Sequence, residues 1–314
     1  MTYDTIIIGA GPAGLTASIY SSRYKLNNLI IGLVTGGTIA YAHKVDNFPG
    51  IPGISGVELG KKMSEQAKAL GAEILTEEVI SIEIVDGAEV GKPLLFKITT
   101  NSGKKFEART LIVALGTERR KLGVPGEKEY LGKGVSYCVT CDAPFFKRKT
   151  VVLVGGSNAA CSGAIHLATF AEKIYLIYRK NALRAEPVWV AEVKENPKIE
   201  VIYETNVTEV LGDGAKVTGV KLDVPYNDNS TLPASGVFVE IGGQPSSSLL
   251  QPLGVELDED GYVRVDERMS TNIPGLFAAG DLTTKSVILQ QVITACAGGA
   301  VAANSAFEYL KKVG

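Results

Sequence analysis

"TIIIGAGPAGLTASIY" (residues 5–20) and "VVLVGGSNAACSGAIH" (residues 151–166) have the same construction. Each is a short apolar run rich in β-branched residues, a glycine-rich turn, and a helix that opens on small residues. A constant offset of 146 residues carries Thr5 onto Val151 and Ile31 onto Ile177. Both continue alike. A second apolar strand follows each helix, "NNLIIG" at 27–32 and "EKIYLIY" at 172–178. Each unit then closes on a strand ending in glycine, "TLIVALG" at 110–116 and "GVFVEIGG" at 236–243. Coincidence would have to match strand, turn, helix and closing strand together. The sequence predicts an α/β protein with two Rossmann-like dinucleotide-binding domains.

The chain continues past the second unit. "TNIPGLFAAGD" at 271–281 reads as another buried strand, and a long small-residue helix follows over roughly 288–312. One strand and one helix cannot make a domain, so they are expected to return to the first unit. The second domain is then inserted into a discontinuous first, with 1–117 and 245–314 in one and 118–244 in the other. Linkers near 117–122 and 243–248 are rich in polar and turn-forming residues and read as hinge candidates.

Composition narrows the function classes. In 314 residues, 32 basic and 34 acidic side chains nearly cancel, so no nucleic-acid partner is expected. A 45% hydrophobic content supports a full core. No apolar run reaches membrane-spanning length. The N-terminus, "MTYDTIIIGAG", enters a strand at once, so no signal peptide is expected and the protein reads as cytoplasmic. Four cysteines do not make a secreted disulfide scaffold. His43 and His166 lie far apart in sequence, and no metal site is expected.

Gly9, Gly11 and Gly14 complete the fingerprint G-x-G-x-x-G: a tight turn, room for a pyrophosphate, and close packing of helix on strand. No acid ends the following strand, where Gly32-Leu33-Val34 stand. The second turn, Gly155-Gly156-Ser157-Asn158-Ala159-Ala160, has Ser157 in the middle glycine position. "SYCVTCDAP" at 136–144 places Cys138 and Cys141 at the spacing of a dithiol that attacks and then resolves a mixed disulfide. Zinc would need two more ligands, and Cys161 and Cys296 are isolated on apparent helices. Asp142 reads equally as a proton donor to a leaving thiolate or as a helix cap. "ERRK" at 118–121 and "KRK" at 147–149 read as steering charges or as solvated surface.

Taken together, GAGPAG, Gly36-Gly37, "DNFPG" at 46–50, the CxxCD segment and "GLFAAGD" resemble the low-molecular-weight thioredoxin reductase family over essentially the whole chain. The resemblance implies FAD in the first domain, and NADPH with the redox dithiol in the inserted one. Gly9, Gly11, Pro12, Ala13 and Gly14 would cradle the FAD pyrophosphate. Gly36, Gly37 and Asn47 would lie along the flavin, and Val79 and Gly280 would add further FAD contacts. Asp281 would hold the ribitol, while Gln291 and Val292 approach the isoalloxazine. Cys141 would face the flavin, and Cys138 would exchange with a thioredoxin-like or glutaredoxin-like protein disulfide. Relatives of this kind are homodimers.

The NADPH site departs from that family. Its turn reads GxGxxA with a Glu pair after it, whereas Ser157 and then Ser162-Gly163 stand here. Its 2′-phosphate motif is HRRxxxR, against Tyr178, Arg179, Lys180 and Arg184 here. Lysine keeps the charge of arginine but loses the bidentate fork. The charges point to NADPH held by Gly155, Ser157, Asn158, Arg179, Lys180 and Arg184. A Cβ at Ser157 points away from it by crowding the pyrophosphate. Two further readings stay open: a relative fed by ferredoxin or another donor, or a dithiol oxidase using oxygen. A non-catalytic FAD-binding protein is disfavoured by the CxxCD segment.

Overall fold

The computed structural model describes residues 2–85 and 94–313. The chain divides into two units, Met1–Glu118 with Gln244–Gly314, and Arg119–Gly243.

In the first unit β1 (Thr2–Ile8) ends in four buried residues and pairs in parallel with β2 (Asn28–Ile31). Between them runs α1 (Pro12–Arg23). After α2 (Gly56–Ala69), β3 (Glu73–Leu75) extends the sheet beyond β2, also in parallel. β4 (Val79–Val85) and β5 (Leu95–Thr100) form an antiparallel pair leading into β6 (Lys105–Val113), which lies parallel to β1 on the side away from β2. Apolar runs form these central strands because both faces of the sheet are covered. Ile7, Ile30 and Ile112 enter one buried cluster; Ile6, Ile8, Leu111 and Val113 enter another. β7 (Thr117–Arg119) then leads out of the unit.

The second unit opens with β8 (Val135–Ser136) and the short helix α3 (Val139–Asp142). β9 (Thr150–Val154), α4 (Asn158–Ala168) and β10 (Lys173–Tyr178) repeat the βαβ motif, with β9 and β10 parallel. α5 (Pro187–Glu195) and β11 (Ile199–Tyr203) continue it. An antiparallel ribbon of β12 (Val207–Gly212), β13 (Val217–Tyr226) and β14 (Asn229–Pro233) precedes the closing strand β15 (Val237–Val239). The parallel sheet runs β11-β10-β9-β15-β8. Val151, Leu153 and Leu176 pack against Ala160, Cys161 and Ala164 of α4. Val152, Val154 and Ile177 pack against Val210, Val220 and Leu232 of the ribbon.

The chain leaves this unit through β16 (Gly243–Pro245), which pairs with β7 as a two-stranded sheet. β17 (Leu276–Ala278) then joins the first sheet beside β6, through Leu276–Leu111 and Ala278–Val113. The last helix, α6 (Val292–Val313), begins later than its composition predicts. The Thr294 hydroxyl accepts the Gln291 N–H at 3.2 Å and donates to the Leu289 carbonyl at 2.8 Å, so residues 288–291 form the lead-in and not the first helical turn. Among the described residues no helix is long and apolar enough to cross a membrane.

Candidate functional site

The first glycine-rich turn is fixed by β1 and its neighbours. Gly9 has φ +113°, donates its N–H to Ile31 O at 2.8 Å, and leaves no room for a Cβ against Ala114 O. Gly14 is required by packing, since a Cβ there would lie 1.9 Å from Gly9 O. Gly11 differs from both. Its backbone is ordinary (φ −80°, ψ −178°), and the nearest atom to an added Cβ is Gly37 Cα at 3.9 Å. The protein leaves that space open, and a Cβ would narrow it. Pro12 opens α1, Ala13 and Gly14 follow, and the helix end has no side-chain cap and no acid in its first turn. Such an end is suited to an anion.

Other predicted residues gather in the same unit. Gly36 donates to Ala10 O at 2.8 Å, and a Cβ on Gly37 would come within 3.0 Å of Gly11 Cα. Gly280 (φ +74°) lies against Ala13. Asp281 follows it with Oδ1 buried and unpartnered, and burial pushes its carboxyl up to about 6. Asn47 and Gln291 meet directly, Nδ2 to Oε1 at 2.9 Å. Val292 is buried with Ala10 and Ala13 in one cluster. Val79 stands apart from that cluster, half-buried against the one containing Ile6 and Leu111. An orphaned carboxylate acceptor, an open cradle at Gly11 and an uncapped helix end fit a ligand with hydroxyls and a pyrophosphate, as FAD has.

In the second unit Cys138 and Cys141 are joined as a disulfide. β8 delivers the pair, and Cys138 caps α3 with its Sγ accepting the Cys141 N–H at 3.2 Å. A thiolate receiving that N–H would be favoured over the thiol. Cys141 is the more exposed of the two. Asp142 ends α3 and makes no side-chain capping bond to the turn that follows. Lys147 and Arg148 are exposed, while Lys149 donates to Phe145 O at 3.1 Å. Arg119 is held by Glu240 at 2.9 Å, and Arg120 Nε donates to Gly243 O at 2.9 Å. These two arginines therefore fasten the ends of β7 and β16. Burial raises the Glu240 carboxyl, with Arg119 opposing. Cys161 is buried in α4, and burial pushes its thiol up to about 11. Among the described residues no cluster could hold a metal ion.

The second turn reproduces the first at the same offset. Gly155 donates to Ile177 O as Gly9 does to Ile31 O, and Glu240 N bonds Val154 O as Ala114 N bonds Ile8 O. Ser157 adopts φ −94°, ψ −178°, close to Gly11, and its side chain caps nothing. The backbone therefore needs no glycine there. Asn158 Oδ1 accepts the Glu186 N–H at 2.7 Å, and Arg184 N–H bonds Gly156 O at 2.8 Å. Arg179, Lys180 and Arg184 are exposed beyond the end of β10.

Sequence reasoning missed the packing of Tyr178. Its ring lies where a Cβ on Gly156 would stand, whereas the matching pair in the first unit is Gly32 and Ala10. Comparing positions 32 and 178 at the repeat offset carries that signal.

Comparisons with known proteins agree with this geometry. The family described as "Pyridine nucleotide-disulphide oxidoreductase" matches residues 3–299. A thioredoxin reductase of Listeria innocua is 41% identical over 313 residues, spanning 99% of this chain and 95% of the relative. The crystal structure of Lactococcus lactis thioredoxin reductase aligns with a TM-score of 0.92 at 33% identity over 99% of both chains. That of T. acidophilum thioredoxin reductase gives 0.89 at 37% identity over 98% of both. The chain belongs to the pyridine nucleotide-disulphide oxidoreductase family and, within it, to the low-molecular-weight thioredoxin reductases.

Proposed function

We propose that this chain is an FAD-dependent protein disulfide reductase that passes electrons through FAD to the Cys138–Cys141 disulfide and on to a thioredoxin-like or glutaredoxin-like protein disulfide. The observation that carries it is the surface disulfide whose Cys138 sulfur accepts a backbone N–H. When bound, FAD supplies the two electrons that reduce this disulfide. Gly9, Gly11 and Gly14 with the first amides of α1 receive its pyrophosphate, and Asp281 accepts from its hydroxyls. Gly36, Gly37, Asn47, Gln291 and Val292 complete the pocket, with Val79 and Gly280 as further contacts.

Two electrons and two protons convert the disulfide to two thiols. The Cys138 thiolate attacks one sulfur of the partner's disulfide, forming a mixed disulfide and releasing one partner thiolate. The Cys141 thiolate then attacks Cys138, releases the second partner thiol and restores the Cys138–Cys141 bond. Asp142 donates a proton to a departing thiolate. Exposed Lys147 and Arg148 beside the pair favour an acidic partner. The same reading includes a homodimer in the reducing cytoplasm, and the exposed apolar run Val287, Ile288 and Leu289 supports an association surface.

A second reading concerns the electron donor. Ser157 favours an enzyme that takes electrons from ferredoxin or another reductant, or gives them to oxygen, while Arg179, Lys180 and Arg184 favour NADPH. The test is an anaerobic titration of the yellow protein with NADPH and NADH, with dithionite as control, followed by turnover on a thioredoxin-like disulfide. Bleaching by NADPH supports the nicotinamide route. Bleaching by dithionite alone supports the second reading. A Cys138→Ser variant that still reduces the protein disulfide refutes the route through the Cys138–Cys141 pair.

A further inference from the structure

A buried carboxylate outside the redox pair fastens the segment that presents it. Glu127 is 6% exposed. Its Oε1 accepts the Leu122 N–H at 2.7 Å and the Tyr137 hydroxyl, and its Oε2 accepts the Gly123 N–H at 2.7 Å. Tyr137 immediately precedes Cys138, and its ring packs with Leu122 and Val124 against the cluster built on Tyr130, Val152 and Val217. Burial and the Glu127 carboxylate together push the Tyr137 hydroxyl above its ordinary range. The loop is anchored in turn. Pro125 O accepts the Val210 N–H of β12 at 2.9 Å, and Gly126 sits so close to Val210 O that no Cβ fits. On the other side of Tyr137, the buried Ser136 hydroxyl accepts the Cys138 N–H at 3.0 Å.

We propose that Glu127, acting through Tyr137, is a positioning residue for the Cys138–Cys141 pair. It holds the backbone entering Cys138 so that the two sulfurs stay at high effective concentration. The inference rests on the redox reading of that pair. Hydrogen bonds to charged groups are strong, and freeing Tyr137 lets the segment explore geometries in which the thiols no longer meet. The equilibrium constant for closing the disulfide then falls by roughly 3- to 10-fold, and a tenfold fall is about 30 mV for this two-electron couple.

The test equilibrates the full-length protein with glutathione redox buffers and reads the Cys138–Cys141 state by alkylation and mass. Tyr137→Phe removes a single oxygen, and Glu127→Gln keeps the shape but sets an amide donor against an N–H. Both are expected to weaken disulfide closure, and the double variant by less than the two effects combined, because the Tyr137–Glu127 bond is shared by both losses. A merely structural role would lower the urea midpoint and leave the exchange constant unmoved. Constants within twofold of the unaltered protein for Tyr137→Phe overturn the proposal, and this variant decides alone where Glu127→Gln does not fold. If excess dithiothreitol releases no pair of thiols from the unaltered protein, the redox reading itself falls, and this inference with it.

Discussion

Asp281 offers the sharpest test of the cofactor cradle, because its charge affects the empty protein and the loaded one in opposite directions. Its Oδ1 is buried and unpartnered, and burial raises its carboxyl from 3.8 to about 6. A folded-state value raised above the unfolded one costs stability as the acid ionises. The cost is absent below the unfolded value, grows as pH climbs towards 6, and is complete above it. At about 1.36 kcal/mol per pH unit, the shift amounts to about 3 kcal/mol at neutral pH. Asp281→Asn removes that cost but buries an amide with unmet donors, worth about 1–2 kcal/mol. The apoprotein variant should therefore gain about 1–2 kcal/mol at pH 7.5, and the gain should shrink towards pH 5. FAD affinity should fall roughly 10- to 100-fold, since hydrogen bonds to a charged acceptor contribute about 1.5–3 kcal/mol. Urea unfolding of both apoproteins at the two pH values, with FAD titrations followed by flavin fluorescence, reads each arm. An apoprotein no more stable at pH 7.5, with unchanged FAD affinity, would refute the reasoning.

Further outcomes follow from the same geometry. Gly14→Ala, with its added Cβ 1.9 Å from Gly9 O, should destabilise the apoprotein by about 3 kcal/mol. Gly11→Ala should stay within about 0.5 kcal/mol of the parent in urea yet purify with little flavin, because it fills only the open space. Equal stability losses in the two variants would refute this division of roles. Ser157→Gly should raise the anaerobic rate of flavin bleaching by NADPH by roughly tenfold or more, and equal rates would remove crowding as the obstacle. Cys161, its thiol pushed up to about 11 by burial, should resist iodoacetamide at pH 8 in the folded protein. Its labelling should rise only as pH approaches 11, so labelling at pH 8 as fast as at reduced Cys138 contradicts its burial.

The parallel sheets were legible because their strands are covered on both faces. Isoleucines at 6, 7 and 8 enter two clusters alternately, and such a strand is written as a run rather than an alternation. The repeat was legible because its offset is constant down to single hydrogen bonds, Gly9 to Ile31 and Gly155 to Ile177. The start of α6 was not. Ile288 and Leu289 read as the first turn of an apolar helix, but the Thr294 hydroxyl takes up the Gln291 amide and sets the start at Val292. A side-chain bond of that kind has no periodic signature. Asn47 and Gln291 meet across 244 residues of sequence, a contact that only the fold brings about. No motif marks Glu127, whose carboxylate is taken up by the backbone N–H groups of Leu122 and Gly123 and by a tyrosine ten residues further on.

The glycines of a dinucleotide fingerprint do two separable things, and the two turns of this chain pull them apart. At Gly9 and Gly155 the need is conformational and steric, with φ of +113° and +149° and a carbonyl oxygen where a Cβ would stand. At Gly11 the need is clearance, because its backbone is extended and an added Cβ would meet only Gly37 Cα at 3.9 Å and Gly36 O at 4.0 Å, with no clash. Ser157 shares that extended backbone, so the second turn folds with or without glycine there. The neighbouring pair shows the same independence. Gly32 makes room for Ala10 in the first unit, and Gly156 makes room for the Tyr178 ring in the second, so bulk has moved from the turn to the strand end while the packing stays closed. An intact second turn is therefore no measure of nucleotide binding. The fold is maintained by Gly155 and by Tyr178 against Gly156. On the NADPH reading, admission of a pyrophosphate turns on Ser157, whose side chain makes no cap bond to the helix it precedes. An electron donor can change at such a position without cost to the scaffold, and so the serine to glycine exchange, and not the survival of the motif, discriminates between donors.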